Sequence, residues 1–294
     1  MSWDLPDSIS IREVGPRDGL QPEAPVAVDD RITLVRSLES TGVVDVEAAA
    51  FVSPKAVPAM AGADEVFAAL TRHPADSSRR WALVPNVKGA ELAVAAGADA
   101  ITVTVSASET YSQANVKQST DESVEAVGAI VTAAGDLEVD TVISCAFGSP
   151  YDEAIGPFDV ARIVERVQEA GTTHVTLADT TGIATPERVA DVITAVGPEV
   201  RLHLHDTRGT ALTNAFAALL LGVTAFDTAV GGLGGSPFAA GAGGNLATED
   251  LVHLCNGLGI DTGIDLDALV AVARSVGDLI GRPVPSRLTT ALGS

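Results

Sequence analysis

The sequence predicts one α/β domain, residues 1–294, closed into a (β/α)8 TIM barrel, and three observations carry that prediction. The chain has 294 residues, a length at which such barrels occur as a single unit. Eight short runs rich in β-branched residues alternate with alanine-rich stretches of helical character along its whole length. These runs recur roughly every 25 to 40 residues, the spacing of strand–helix units joined by right-handed crossovers. A doubly wound open sheet is the alternative, but eight parallel units with no linker or low-complexity tract between them favour closure.

The first strand is expected over Ile9–Val14, followed by a helix over Asp29–Ser40 whose first turn carries aspartates, where carboxylates complement the positive helix end. Val43–Glu47, Trp81–Pro85, Ala100–Ser106 and Val139–Ala146 supply the second to fifth strands. His174–Asp179 is the sixth, and the helix after it runs over Pro186–Val196, with Thr185 as its N-cap and Pro186 at the first helical position. Val200–His205 and Ala225–Val230 complete the eight. The segment after Ile264 reads as one further helical element packed outside the barrel.

Composition excludes several classes of partner. Hydrophobic residues make up 46% and charged residues 19%, so a sizeable core is available. Aspartate and glutamate outnumber lysine and arginine 39 to 18, giving a formal charge of −21 with no basic stripe, which argues against nucleic acid and anionic lipid. The two cysteines, Cys145 and Cys255, make no disulfide framework and suit a reducing interior. No secretion signal or bilayer-length apolar run is evident, so a cytoplasmic location is expected.

In a barrel of this kind chemistry sits at the C-terminal ends of the strands. There, His203 and His205 are two apart, so both imidazoles face the barrel mouth while Leu202 and Leu204 face the helices. That spacing suits a shared metal; a pair of satisfied core histidines is the plain alternative. The first strand leads into Gly15-Pro16-Arg17-Asp18-Gly19-Leu20-Gln21, which sets a guanidinium beside a carboxylate on the rim, unless it is only a solvated turn. After the eighth strand, residues 231–245 hold seven glycines in fifteen positions and end in Asn245. This segment lacks the lysine of a phosphate-binding loop and reads as a lid. Asp18 and Asn245 could join the histidines around Mg²⁺ or Mn²⁺, whereas iron is the competing choice for two histidines and a carboxylate. Glu47 and Asp179 close the second and sixth strands, and either could orient Arg17, act as a base or serve only as a salt-bridge partner. Cys145, at the end of the fifth strand, reads mainly as a small buried hydrophobe.

Ile11 to Pro22, Phe51-Val52-Ser53-Pro54-Lys55, Pro85-Asn86-Val87-Lys88-Gly89, His203 to Asp206 and Gly231 through Asp250 resemble the hydroxymethylglutaryl-CoA lyase family, in order and spacing, over nearly the whole chain. The resemblance implies a divalent-cation-dependent retro-Claisen cleavage of a 3-hydroxyacyl-CoA, giving acetyl-CoA and a keto acid. It implies that Asp18, His203, His205 and Asn245 hold the cation and that Arg17 sits on the thioester oxygen. His203 is also implied in proton transfer, with Glu47 and Asp179 supporting the rim. The acyl-CoA thioester is expected against Arg17, Gln21, Gly234 and Gly235, and a homo-oligomer, a dimer, is expected. Two positions depart from the family pattern: Ser236 stands where the lid cysteine that quenches the enolate is usual, and Ala24 where a lysine is common. A thiol with pKa near 8.5 suits that proton transfer and a serine hydroxyl is a far weaker acid. The alternatives are therefore a lyase for a related substrate such as citramalyl-CoA, or a non-catalytic homologue that binds the CoA thioester and metal.

Overall fold

The structure, a computed structural model, describes residues 3–70, 77–149, 151, 154–235 and 243–293. Eight parallel strands close on themselves in sequence order. They are β1 (Ser10–Glu13), β2 (Asp45–Ala50), β3 (Arg79–Leu83), β4 (Ala100–Ser106), β5 (Glu138–Ser144), β6 (His174–Asp179), β7 (Arg201–Leu204) and β8 (Ala225–Thr228). β8 returns to β1 with Arg12 opposite Asp227, which completes the ring.

Helices cover the outside. Val28–Ser40 and Pro186–Val196 form where the apolar periodicity and caps place them, and the Thr185 hydroxyl accepts from the Arg188 amide as an N-cap should. The C-terminal segment is two helices, Leu266–Ile280 and Arg287–Ala291, where the sequence reading has one element. Gly281 in the left-handed region ends the first, and Pro283 and Pro285 delay the second until Ser286 caps it. Glu47 does not end its strand as expected. A bulge between Glu47 and Ala49 lets β2 continue to Ala50.

The barrel interior is polar at its centre. Arg12 makes a bidentate pair with Asp227, at 2.9 Å from Nε to Oδ1 and 2.8 Å from Nη2 to Oδ2, and its Nη1 meets Asp140 Oδ2 at 2.7 Å. All three side chains are at most 2% exposed. The Arg12 guanidinium also lies 4.8 Å from the Trp81 ring centroid. Among the described residues no helix is long and apolar enough to cross a membrane.

Candidate metal centre and active site

The site is built at the C-terminal mouth from three pieces of chain. The first is a wide turn over Gly15–Gly19, in which the Gly19 amide reaches back to the Val14 carbonyl at 3.1 Å in a π-type bond. A Cβ at Gly15 would lie 2.6 Å from Glu13 Oε1 and 3.0 Å from Val230 Cγ1, so any larger residue would have to displace the Glu13 carboxyl. The turn carries Arg17 and Asp18 inward. The second piece is the end of β7, with His203 and His205. The third is the return of the glycine-rich segment, where Asn245 bridges to His205 and the Leu246 amide donates to the Leu204 carbonyl at 2.8 Å.

One ligand atom from each of Asp18, His203 and His205 lies within 4.8 Å of the others. Asp18 Oδ2 is 3.8 Å from His203 Nε2, and the two Nε2 atoms are 3.2 Å apart. Asn245 donates through Nδ2 to Asp18 Oδ2 at 2.8 Å and to the Leu233 carbonyl at 2.9 Å, so its Oδ1 is left buried with no hydrogen-bond partner. An orphaned amide oxygen on a residue that bonds Asp18 fits a cation-binding site, because burying an unmet acceptor otherwise costs about 1–3 kcal/mol. The histidine tautomers agree with that fit. His205 Nδ1 is 3.1 Å from the Gly243 carbonyl, which can only accept, and His203 Nδ1 is 3.3 Å from Asp227 Oδ2. Each Nδ1 therefore carries a proton, and the two Nε2 atoms face each other across the cluster. Oxygen and imidazole donors without a thiolate suit a divalent cation.

The charges are tuned to match. Burial works against ionising Asp18, but the charges of Arg17, His203 and His205 outweigh it and hold the carboxyl at about 2. Burial also opposes protonation of His203, yet its bond to Asp227 and the charge of Asp18 raise it above the ordinary value. Burial and the neighbouring His203 push His205 down to about 4.

Arg17 is 8% exposed. Its Nε donates to Glu47 Oε2 and its Nη1 to Asp18 Oδ1 at 2.6 Å, and its Nη2 makes no hydrogen bond among the described residues. Glu47 is in turn the acceptor for the Thr102 hydroxyl. Asp179 does not bond Arg17. Its two oxygens accept from the amides of Ile183 and Ala184 at 2.9 and 3.2 Å, and burial lifts its pKa to about 6 against those bonds. Gly234 lies against the cluster, where a Cβ would meet Asn245 Nδ2 at 2.3 Å, and Gly235 follows it with φ +146°. Gln21 is half-buried on the rim. Ser236 and Phe238 lie outside the described residues. Cys145 and Cys255 are buried and not joined in a disulfide.

Sequence reasoning missed Arg12, Asp227 and Glu13, which hold the site from beneath. Arg12 and Glu13 are consecutive charged residues inside the first strand, a signal the sequence did offer, whereas Asp227 beside Thr228 offered none.

Residues 8–276 match the family model described as HMGL-like. A 3-hydroxy-3-isohexenylglutaryl-CoA/hydroxy-methylglutaryl-CoA lyase of Pseudomonas aeruginosa is 43% identical, covering 98% of this chain and 98% of that protein. An (R)-citramalyl-CoA lyase of Chloroflexus aurantiacus is 41% identical over 95% of this chain and 93% of its own length. A solved HMG-CoA lyase of Acinetobacter baumannii, in complex with coenzyme A and 3-methylmalate, superposes with a TM-score of 0.91 at 41% identity, covering 97% of this chain and 95% of that one. With a model spanning most of the barrel and relatives this close over nearly full length, the chain belongs to the HMGL-like family of carbon–carbon lyases.

Proposed function

We propose that this chain cleaves hydroxymethylglutaryl-CoA to acetyl-CoA and acetoacetate in a divalent-metal-dependent retro-Claisen reaction. The observation that carries the reading is the cluster of Asp18, His203, His205 and the unpartnered Asn245 Oδ1 beside the buried Arg17 guanidinium. These four residues would hold Mg²⁺ or Mn²⁺, which when bound supplies the Lewis acidity that acidifies the substrate hydroxyl.

The chain's own groups account for the rest. The hydroxyl at C3 loses its proton, the C2–C3 bond breaks, and the electron pair passes into the thioester to give an enolate. Arg17 offers its free Nη2 donor to the thioester oxygen, where negative charge grows. Glu47 and Asp18 hold the other two donor positions, so the guanidinium is set before the reaction begins. Asp179, with a pKa lifted to about 6, is suited to take the hydroxyl proton near neutral pH. His203 is assigned as a ligand alone, because its Nδ1 is committed to Asp227 and its Nε2 to the cluster. Gln21, Gly234 and Gly235 would line the substrate, and Ser236, in the segment the sequence reads as a lid, would assist protonation of the enolate carbon.

The (R)-citramalyl-CoA lyase relative and the serine at position 236 favour one second reading, in which the altered lid serves citramalyl-CoA. The deciding experiment incubates the protein with a panel of hydroxyacyl-CoA thioesters and Mg²⁺ or Mn²⁺, following CoA products by mass. Acetoacetate as the main product supports the first reading and pyruvate the second; no turnover of any thioester rejects both. Ser236→Cys separates them further, since a gain on hydroxymethylglutaryl-CoA marks a lid that has only lost its acid. We further propose one working domain over residues 1–294, acting in the cytoplasm as a homodimer, which light scattering on the purified protein checks for assembly state.

A further inference from the structure

At one level of the barrel, β7, β8 and β1 place three polar side chains next to one another. Asp227 is the register partner of His203 on one side and of Arg12 on the other. Its carboxylate accepts both Nε and Nη2 of Arg12 and, through Oδ2, faces His203 Nδ1 at 3.3 Å. A bidentate arginine pair requires the ionised, acceptor-only form of the acid. His203 Nδ1 must then be the donor, and in the neutral ring Nε2 is the nitrogen left with a lone pair on the side of His205 and Asp18. The other histidine is oriented differently, by the backbone carbonyl of Gly243. Of these two histidines, His203 alone depends on a side chain for its tautomer.

We infer that Asp227, clamped by Arg12, is the positioning residue that fixes the Nδ1–H tautomer of His203 and so makes its Nε2 a cation ligand. This rests on the metal reading given above. The geometry separates two jobs within one buried network: Arg12 holds Asp227 still, and Asp227 holds the imidazole. Asp140 shares the first job without the second. Its Oδ2 meets Arg12 Nη1 and the Thr176 hydroxyl, and no bond joins it to His203. An asparagine at position 227 has one acceptor oxygen and an NH₂ donor in place of the other, so either Arg12 or the His203 Nδ1 proton loses a partner.

The test is Mn²⁺ binding to the metal-depleted protein, read by electron paramagnetic resonance of the free ion, for the native chain, Asp227→Asn and Asp140→Asn. The native chain is expected to bind, Asp227→Asn to bind about 10- to 100-fold more weakly, as is typical when the partner of a metal-bound histidine is lost, and Asp140→Asn to keep the native affinity. Equal affinities for the native chain and a folded Asp227→Asn overturn the inference while leaving the metal site standing. Equal weakening of both variants also overturns it, because the effect then belongs to the Arg12 network as a whole. A native chain that binds no Mn²⁺ rejects the metal reading itself, and this inference with it. If Asp227→Asn does not fold, the native protein still decides: with ¹⁵N-labelled histidine, at a pH above the His203 titration where the ring is neutral, metal-depleted His203 is expected to carry its proton on Nδ1 and none on Nε2, and the opposite tautomer overturns the assignment.

Discussion

The Nε2 atoms of His203 and His205 face each other at 3.2 Å, each with its opposite nitrogen already committed as a donor. Two lone pairs at that distance need either a cation or a shared proton between them. Without metal, the raised His203 and the lowered His205 place that proton on His203. Metal binding must displace it. Calorimetry of Mn²⁺ binding in buffers of different ionisation enthalpy should therefore detect release of about one proton, with affinity rising as pH rises through the His203 titration. The bound ion should also raise Tm in a concentration-dependent way. Affinity that is flat with pH, with no proton released, would contradict the arrangement.

Arg17 and His205 should fail differently when removed. His205→Ala takes away one ligand and leaves Asp18, His203 and Asn245, so its lost activity should be partly restored by excess Mn²⁺. Arg17→Ala removes none of the four proposed ligands, though Asp18 loses a hydrogen-bond partner, and it takes away the donor proposed for the enolate oxygen, a loss typically worth about 10²- to 10³-fold in kcat that metal should not restore. Titrating both variants with Mn²⁺ while following thioester cleavage tells them apart. Equal rescue would move Arg17 from charge stabilisation to metal binding.

Gly234 combines φ +111° with a Cβ position 2.3 Å from Asn245 Nδ2 and 3.4 Å from Asp18 Oδ2. Both the backbone and the close approach require glycine here. Gly234→Ala should displace the Asn245 amide, weaken metal binding and lower activity, with the far-ultraviolet spectrum unchanged. Because Nδ2 makes both of the Asn245 hydrogen bonds, the loss should appear first as weaker Mn²⁺ affinity. An unaltered affinity would show that the glycine matters only for the segment beyond it.

Two strands were legible in the sequence to the residue. Ala100–Ser106 and His174–Asp179 are found at the expected residues. β2 runs three residues further than expected because Ala48, Ala49 and Ala50 carry no β signal, and the bulge that extends the strand leaves no trace in composition. That Asp18, His203 and His205 come together was readable because the histidines sit two apart and Asp18 belongs to a distinctive loop. Asp227 was not readable. Its importance comes from standing between Arg12 and His203 across three strands, a relation fixed by barrel closure and register and by no local pattern. The two C-terminal helices show a smaller failure of the same reading, since Gly281, Pro283 and Pro285 are the punctuation that divides them.

Glu13 gives a prediction about stability and pH. Its Oε1 accepts from the amides of Gly15 and Val230, and its Oε2 from the Thr248 hydroxyl, so it ties the first loop to the root of the glycine-rich segment. Burial raises its pKa from 4.5 to about 7, against those three hydrogen bonds and with a small push from nearby Glu249. In the folded state the acid is thus favoured over the carboxylate, relative to the unfolded chain. Its contribution to stability is fully present below pH 4.5 and is lost as pH rises to about 7, since the unfolded chain ionises first. For a shift of this size the loss is on the order of 3 kcal/mol. Glu13→Gln keeps an acceptor for both amides and can donate its amide N–H to Thr248, whose own proton can turn to Thr228, 2.8 Å away. The variant should gain stability relative to the native chain as pH rises from 4.5 to 7, with no further gain above that range. Denaturant melts of both proteins across this window measure the difference, and a gap that stays constant with pH would mean that Glu13 is already ionised in the folded barrel.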